Sequence, residues 1–223
     1  MNEILWIFTL LISFIFVLCN YKYLGKTGLL LWISIATIIS NIQTVKLINL
    51  FGIETSLGTI LYGSTFLATD ILNLKYGSKV AKKSILIGFI SMILVAIFMS
   101  ISLIYIPSAN DFSQKSLTTI FTINIRITIA SVLAFVVSQF MDTIIFEKLQ
   151  NKYNKLWLSN NGSTILCQMV DTIIFTTITY CGLLSVNSII EIMLSMYVFK
   201  VIIALIDTPF IYFARRIKYI DEI

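Results

Sequence analysis

Histidine is absent from all 223 residues, so no imidazole can act as a general base, a proton relay or a metal ligand. Charge is scarce as well. Asp, Glu, Lys and Arg make up 12% of the chain, about half the roughly 25% of an ordinary soluble domain. The three cysteines, Cys19, Cys167 and Cys181, lie in apolar runs without zinc-ligand spacing and suggest no disulfide framework. No GxxxxGK[ST] loop occurs, which excludes ATP hydrolysis by that route. Of the two prolines, Pro107 follows one apolar run and Pro209 stands inside another, where the missing backbone donor is expected to kink a helix.

What remains is apolar. Hydrophobic residues reach 58% and the mean hydropathy is +0.94, the composition of an integral membrane protein. At about 20 residues per span there is room for six or seven helices joined by short loops. Seven runs qualify: Ile4 to Cys19, Gly28 to Leu50, Leu57 to Leu74, Ser84 to Ile106, Thr119 to Phe146, Ser163 to Leu184, and Ile189 to Phe213. The first and the third are the shortest. The first has no Lys or Arg ahead of it and lacks a small-residue cleavage site, so it reads as a retained helix.

The loops carry a separate signal. Lys22, Lys26, Lys75, Lys79, Lys82, Lys83, Lys148, Lys152, Lys155, Arg215, Arg216 and Lys218 fall in alternate loops, whereas the loops between them hold only Lys115. That asymmetry places the amino terminus outside and the carboxyl terminus in the cytoplasm. It also gives the net charge of +5 a membrane meaning and no nucleic-acid one.

Within the apolar runs one phrase occurs twice. Ser138-Gln139-Phe140-Met141-Asp142-Thr143-Ile144-Ile145-Phe146 is followed, 29 residues on, by Cys167-Gln168-Met169-Val170-Asp171-Thr172-Ile173-Ile174-Phe175, with six of nine positions identical. Gln and Asp three apart share a helix face. A carboxylate at the centre of a membrane helix costs about 2.5 kcal/mol or more, so a pair of them points to function. The other ionisable residues in these runs are Asp70, Arg126, Lys200, Asp207 and, near an outer end, Lys46. Asp70, Asp142, Asp171 and Asp207 all fall in the inner part of their helices and are expected to converge. Lys200 is the cation best placed to pair with one of them, whereas Arg126 marks an outer end. Each signal also has a structural reading. The repeat could clamp two helices together, Arg126 and Lys46 could snorkel to the interface, and Asp70 with Asn73 could simply solvate a helix end.

Several segments together resemble the queuosine-precursor transporter family, also called the vitamin uptake transporter family. They are Phe66-Leu67-Ala68-Thr69-Asp70 with Tyr76-Gly77; Arg126 with Ala130-Ser131 and Ala134; Ser138-Gln139 with Asp142; Asn161-Gly162-Ser163-Thr164 with Gln168, Asp171 and Phe175; Phe199-Lys200-Val201; and Asn41 with Lys46. The position four after Asp70, often Glu in that family, is Leu74 here. The resemblance implies an all-α polytopic membrane protein. A six-helix transporter core at 28–223 with a short cytoplasmic tail would follow an extra N-terminal transmembrane helix and loop at 1–27.

It further implies a multi-pass protein of the bacterial inner membrane, not an enzyme and without a cofactor, that imports a 7-deazaguanine base for tRNA queuosine salvage. The implied substrate residues are Asn41, Lys46, Asp70, Arg126, Gln139, Asp142, Gln168, Asp171 and Lys200. A carboxylate suits the N1 and exocyclic amino hydrogens of a guanine-like edge, and an amide suits its carbonyl side. The substrate is a small molecule, and the other partner is the lipid bilayer. Homo-oligomerisation, a separate energising complex that would make this chain a capture subunit, and proton coupling through a buried Asp stay open. An intramembrane enzyme is opposed by the missing His and the lack of HExxH or DxxxD spacing.

Overall fold

The structure is a computed structural model that describes residues 1–122, 125–182 and 184–219. Its elements, in order, are α1 (Asn2–Thr44), β1 (Leu47–Leu50), β2 (Ile53–Ser56), α2 (Thr59–Tyr76), α3 (Ser78–Ser102), α4 (Gln114–Thr122), α5 (Ile125–Tyr153), α6 (Leu156–Tyr180) and α7 (Val186–Arg216). Residues 123–124 and 183, which fall in the fifth and sixth expected spans, lie outside the described residues, as does the end of the tail at 220–223.

The 43 residues of α1 would reach about 65 Å if straight, roughly twice the hydrocarbon thickness of a bilayer. The helix breaks instead at Gly25, whose φ of 54° and ψ of −133° leave the helical region and suit a residue with no Cβ. Its two arms fold back on each other. Asn2 Nδ2 donates to the Asn49 carbonyl at 3.1 Å, and the Phe16 and Trp32 rings stack at 6.2 Å. The first arm also packs into the bundle, with Trp6 against Phe199 and Phe14 against Phe210.

Two boundaries differ most from the sequence expectation. The second run was expected to stay helical to Leu50, but the helix stops at Thr44 and the next residues form an antiparallel hairpin, Leu47 opposite Ser56. Phe51 and Gly52 turn it with φ of 52° and 82°, the positive pair a two-residue hairpin turn requires. The sixth helix starts at Leu156 instead of Ser163, because Ser159, Asn160, Ser163 and Thr164 are buried helical residues and not loop. Pro209 stands inside α7, as its place in the seventh run implied.

Four segments are long and apolar enough to cross a membrane: Asn2–Thr44, Ser78–Ser102, Ile129–Tyr153 and Val186–Arg216. Leucines, isoleucines and valines such as Leu86, Ile90, Leu94, Leu133, Leu194 and Val198 are exposed along them. An outer surface of that kind suits lipid and would be a liability in water. This is an all-α membrane protein that crosses the bilayer several times. The remaining long helices, α2 and α6, are the polar ones. Nearly every residue of α2 from Thr59 to Asn73 is buried, including Ser64, Thr65, Thr69 and Asp70. They bring polar groups inside and owe their stability to the helices around them.

Candidate functional site

The two copies of the repeated phrase lie on α5 and α6, which pack side by side. In both, the Thr after the Asp turns its hydroxyl back onto the Gln carbonyl four residues earlier, Thr143 to Gln139 at 3.0 Å and Thr172 to Gln168 at 2.7 Å. The local conformation repeats, but the two carboxylates meet different surroundings. Asp171 accepts hydrogen bonds from the Tyr62 hydroxyl, the Ser138 hydroxyl at 3.1 Å and the Lys200 ammonium. Lys200 also lies over the Tyr62 ring, 5.3 Å from its centroid. Both Asp171 and Lys200 are buried, and a buried ion pair persists only where further hydrogen bonds satisfy its remaining atoms.

A cavity with an open mouth ends on this group. Asp171, Lys200 and Tyr62 form part of its wall with Phe175, Met92 and Met196. Asn41, Ser40, Thr44 and Ser56 line it nearer the hairpin. Because α2 begins at the hairpin and α7 runs from that same end, the cavity belongs to the hairpin end of the bundle.

Beyond it, toward the other end, lies a second polar layer. Asp70 of α2 and Asp142 of α5 stand against each other, close enough to share a hydrogen bond, with Asp207 of α7 nearby. Thr164 donates to Asp142 Oδ1 at 3.3 Å, and Asn160 Nδ2 donates to Asp207 Oδ1 at 2.6 Å. Three carboxyls therefore converge, while the fourth, Asp171, stands apart with the lysine. The four do not form the single cluster expected from helix depths. Eight and seven residues separate Tyr62 from Asp70 and Lys200 from Asp207, so these helices pass through both layers in register.

The remaining expected residues sort by position. Asn41 is half-buried and lines the cavity. Gln139 and Gln168 are fully buried between the layers; Gln139 Nε2 donates to Thr65 Oγ1 at 2.9 Å, and the side-chain oxygen of each has no donor. Lys46 is exposed in the link between α1 and the hairpin, outside the cavity wall, because the helix that was to carry it inward has already ended. Arg126 is exposed too, and its guanidinium caps α6 by donating to the Ile178 and Cys181 carbonyls. The snorkelling alternative describes these two cations, and neither touches the buried layers.

Tyr62 and Ser138 were missed as site residues. The available signal was the crowding of Tyr62, Ser64, Thr65, Thr69, Asp70 and Asn73 on one short helix.

Comparison with known proteins fits this arrangement. The family model described as "Putative vitamin uptake transporter" matches residues 56–214, which takes in everything from the end of the hairpin to α7. The chain belongs to the vitamin uptake transporter family. Individual proteins are similar as well. A "Probable queuosine precursor transporter" of Bacillus subtilis (strain 168) is 38% identical over 224 aligned positions, covering 99% of this chain and 98% of that protein. The "Queuosine precursor transporter" of Escherichia coli (strain K12) is 28% identical across 79% of this chain and 81% of its own length. A "Probable queuosine precursor transporter" of Haemophilus influenzae is 30% identical across 59% of this chain and 54% of its own. No solved structure matches this family member. The relatives are named as transporters, which points away from an enzyme, and transporters of this family are proteins for small molecules.

Proposed function

We propose that this protein imports queuosine precursors, 7-deazaguanine bases used for tRNA queuosine salvage, across the bacterial inner membrane. The observation that carries the reading is Asp171, a buried carboxylate held by Tyr62, Ser138 and Lys200 at the end of an open-mouthed cavity. A guanine-like edge offers two adjacent N–H donors to one carboxylate, and such charge-assisted paired bonds are strong and orienting. Lys200 and the Asn41 amide are placed for its carbonyl side, and Tyr62, Phe175 and Met196 supply apolar surface for a flat ring. Gln139 and Gln168, with unpaired oxygens beneath, continue the polar path.

The chain acts as a carrier without a separate ATP-driven complex, by exposing its site alternately to the two sides. Its arrangement is a six-helix core at 28–223 preceded by an N-terminal helix and loop at 1–27. The Gly25 break, close to that boundary, supports a first arm that crosses the membrane separately. The basic loops favour a cytoplasmic carboxyl terminus and put the cavity on the outer side.

The test uses bacteria unable to make or import queuosine precursors, supplied with the 7-cyano base, the 7-aminomethyl base, queuine or queuosine. Queuosine in tRNA is the readout. Wild type should restore the modification with at least one compound, and Asp171→Asn at matched membrane expression should not. Restoration by neither, with every compound, would refute the proposal.

A further inference from the structure

The Asp70, Asp142 and Asp207 layer is not part of the cavity wall, and its chemistry is unusual. All three side chains are fully buried. Both oxygens of Asp70, Oδ2 of Asp142 and Oδ2 of Asp207 have no hydrogen-bond donor among the described residues. The groups that face them are Asp70 from α2, Asp142 from α5, Thr164, Ser163, Asn160 and the Cys167 thiol from α6, and Asp207 from α7. No lysine or arginine is among them. Three ionised carboxylates at this density would repel one another, with only the Thr164 hydroxyl and the Asn160 amide to offset the cost of burial. A metal ion does not resolve the difficulty, since no group of three acidic or thiol side chains among the described residues converges on a metal position. A proton does, because a carboxylic acid is itself the donor that a facing carboxylate lacks.

We infer that the Asp70–Asp142 carboxyl pair carries the proton whose entry drives uptake, as a site separate from the substrate cavity. The inference rests on the transport reading above and adds an energy source to it. The coupling is built into the helices. Tyr62 and Asp70 share α2, Ser138 and Asp142 share α5, Asp171 and Thr164 share α6, and Lys200 and Asp207 share α7. Each of the four helices that holds the Asp171 group therefore also borders the carboxyl pair. A shared proton bridges α2 and α5, and its loss leaves two anions that force them apart. Helix movement that frees a base from Asp171 thus changes the environment of the proton. The proton binds from the outer side with the base and leaves to the cytoplasm, so one positive charge crosses per neutral base.

The experiment is accumulation of radiolabelled 7-cyano-7-deazaguanine by the full chain in proteoliposomes, with valinomycin and potassium holding the potential at zero. An inward proton gradient of one pH unit should concentrate the base about 10-fold, the ratio set by one coupled proton at about 1.4 kcal/mol per pH unit. Asp70→Asn and Asp142→Asn should bring the base only to equal concentration on both sides while still exchanging labelled for unlabelled base. Uptake that ignores the gradient in wild type, or 10-fold accumulation that survives in either variant, overturns the inference. Infrared spectra of wild type supply a check that needs no variant: a protonated-carboxyl stretch should be present at pH 7, and its absence also overturns it. If wild type neither takes up nor exchanges the base, while still showing the protonated carboxyl, the transport reading has failed and the coupling falls with it.

Discussion

Removing Lys200 tests the centre of the site most directly. In Lys200→Met a flexible apolar chain of similar length replaces the cation, and Asp171 keeps only the Tyr62 and Ser138 hydroxyls as donors. Both members of the wild-type pair are about 4% exposed in their side chains, so solvent cannot take over the role of the ammonium. Breaking a buried pair by deleting one partner costs about 3–5 kcal/mol, because it strands the other charge. For a chain of this size each kcal/mol moves the unfolding midpoint by about 2–4 °C, so Lys200→Met should unfold about 6–20 °C below wild type.

Adding Asp171→Asn removes the stranded charge. Replacing both members of a buried pair is often neutral for stability, so the double variant should return close to the wild-type midpoint. Its uptake should stay low, down about 10- to 150-fold in kcat/KM, as expected for the loss of a charged hydrogen bond worth about 1.5–3 kcal/mol. The assay is thermal unfolding of purified protein in detergent beside tRNA queuosine content in cells. A Lys200→Met protein as stable as wild type, or a double variant that transports normally, would refute the reasoning.

Tyr62→Phe keeps the ring under Lys200 but deletes the hydroxyl to Asp171; uptake should fall by about 10-fold, with little change in expression, as checked by initial uptake rates. At Gly63 an added Cβ would lie 2.5 Å from Cγ2 of Ile203, so Gly63→Ala should wedge α2 from α7 at a cost of about 1–3 kcal/mol. Ile203→Ala in the same chain should recover most of that loss of unfolding temperature, and a failure to recover would remove the contact as its cause. Arg126→Gln should lower stability by about 1 kcal/mol through the lost cap on the carbonyl end of α6. Uptake per folded molecule should be unchanged, and a loss at matched folded protein would return Arg126 to the site.

The buried polar layers were legible where an ionisable residue stood in an apolar run, since burial of charge needs a partner wherever it occurs. Asp171 and Lys200 were recognisable on that basis, and the pairing of Lys200 with a carboxylate followed from depth along the helix. Tyr62 was not, because an apolar ring with one hydroxyl looks the same in sequence whether it faces lipid or a carboxylate. Lys46 and Arg126 stand near outer ends in the sequence and were counted with the substrate residues only through the family resemblance, although a long charged side chain near a helix end reaches the surface easily. The hairpin at 47–56 was hidden by the apolar Leu47, Ile48 and Leu50, whose helical or extended state depends on the turn at Phe51-Gly52. The start of α6 was misplaced because Ser159, Asn160 and Asn161 resemble loop residues until α7 supplies Asp207 and Thr208 as partners.

At the end of the bundle opposite the cavity, Lys75 at the last turn of α2 donates to the Arg215 and Ile217 carbonyls at the end of α7, at 2.9 and 3.2 Å. These are the same two helices that carry Tyr62 and Lys200, so the clasp at one end and the Asp171 group at the other are borne by one pair of helices. In the proposed transport cycle, opening that end of the bundle means parting the clasp, and its strength would set how often the empty protein opens there. If the clasp is worth about 1.4 kcal/mol, cutting it multiplies the inward-open fraction about tenfold. In that cycle a chain without Lys75 should bind its cargo as before and hold a smaller gradient.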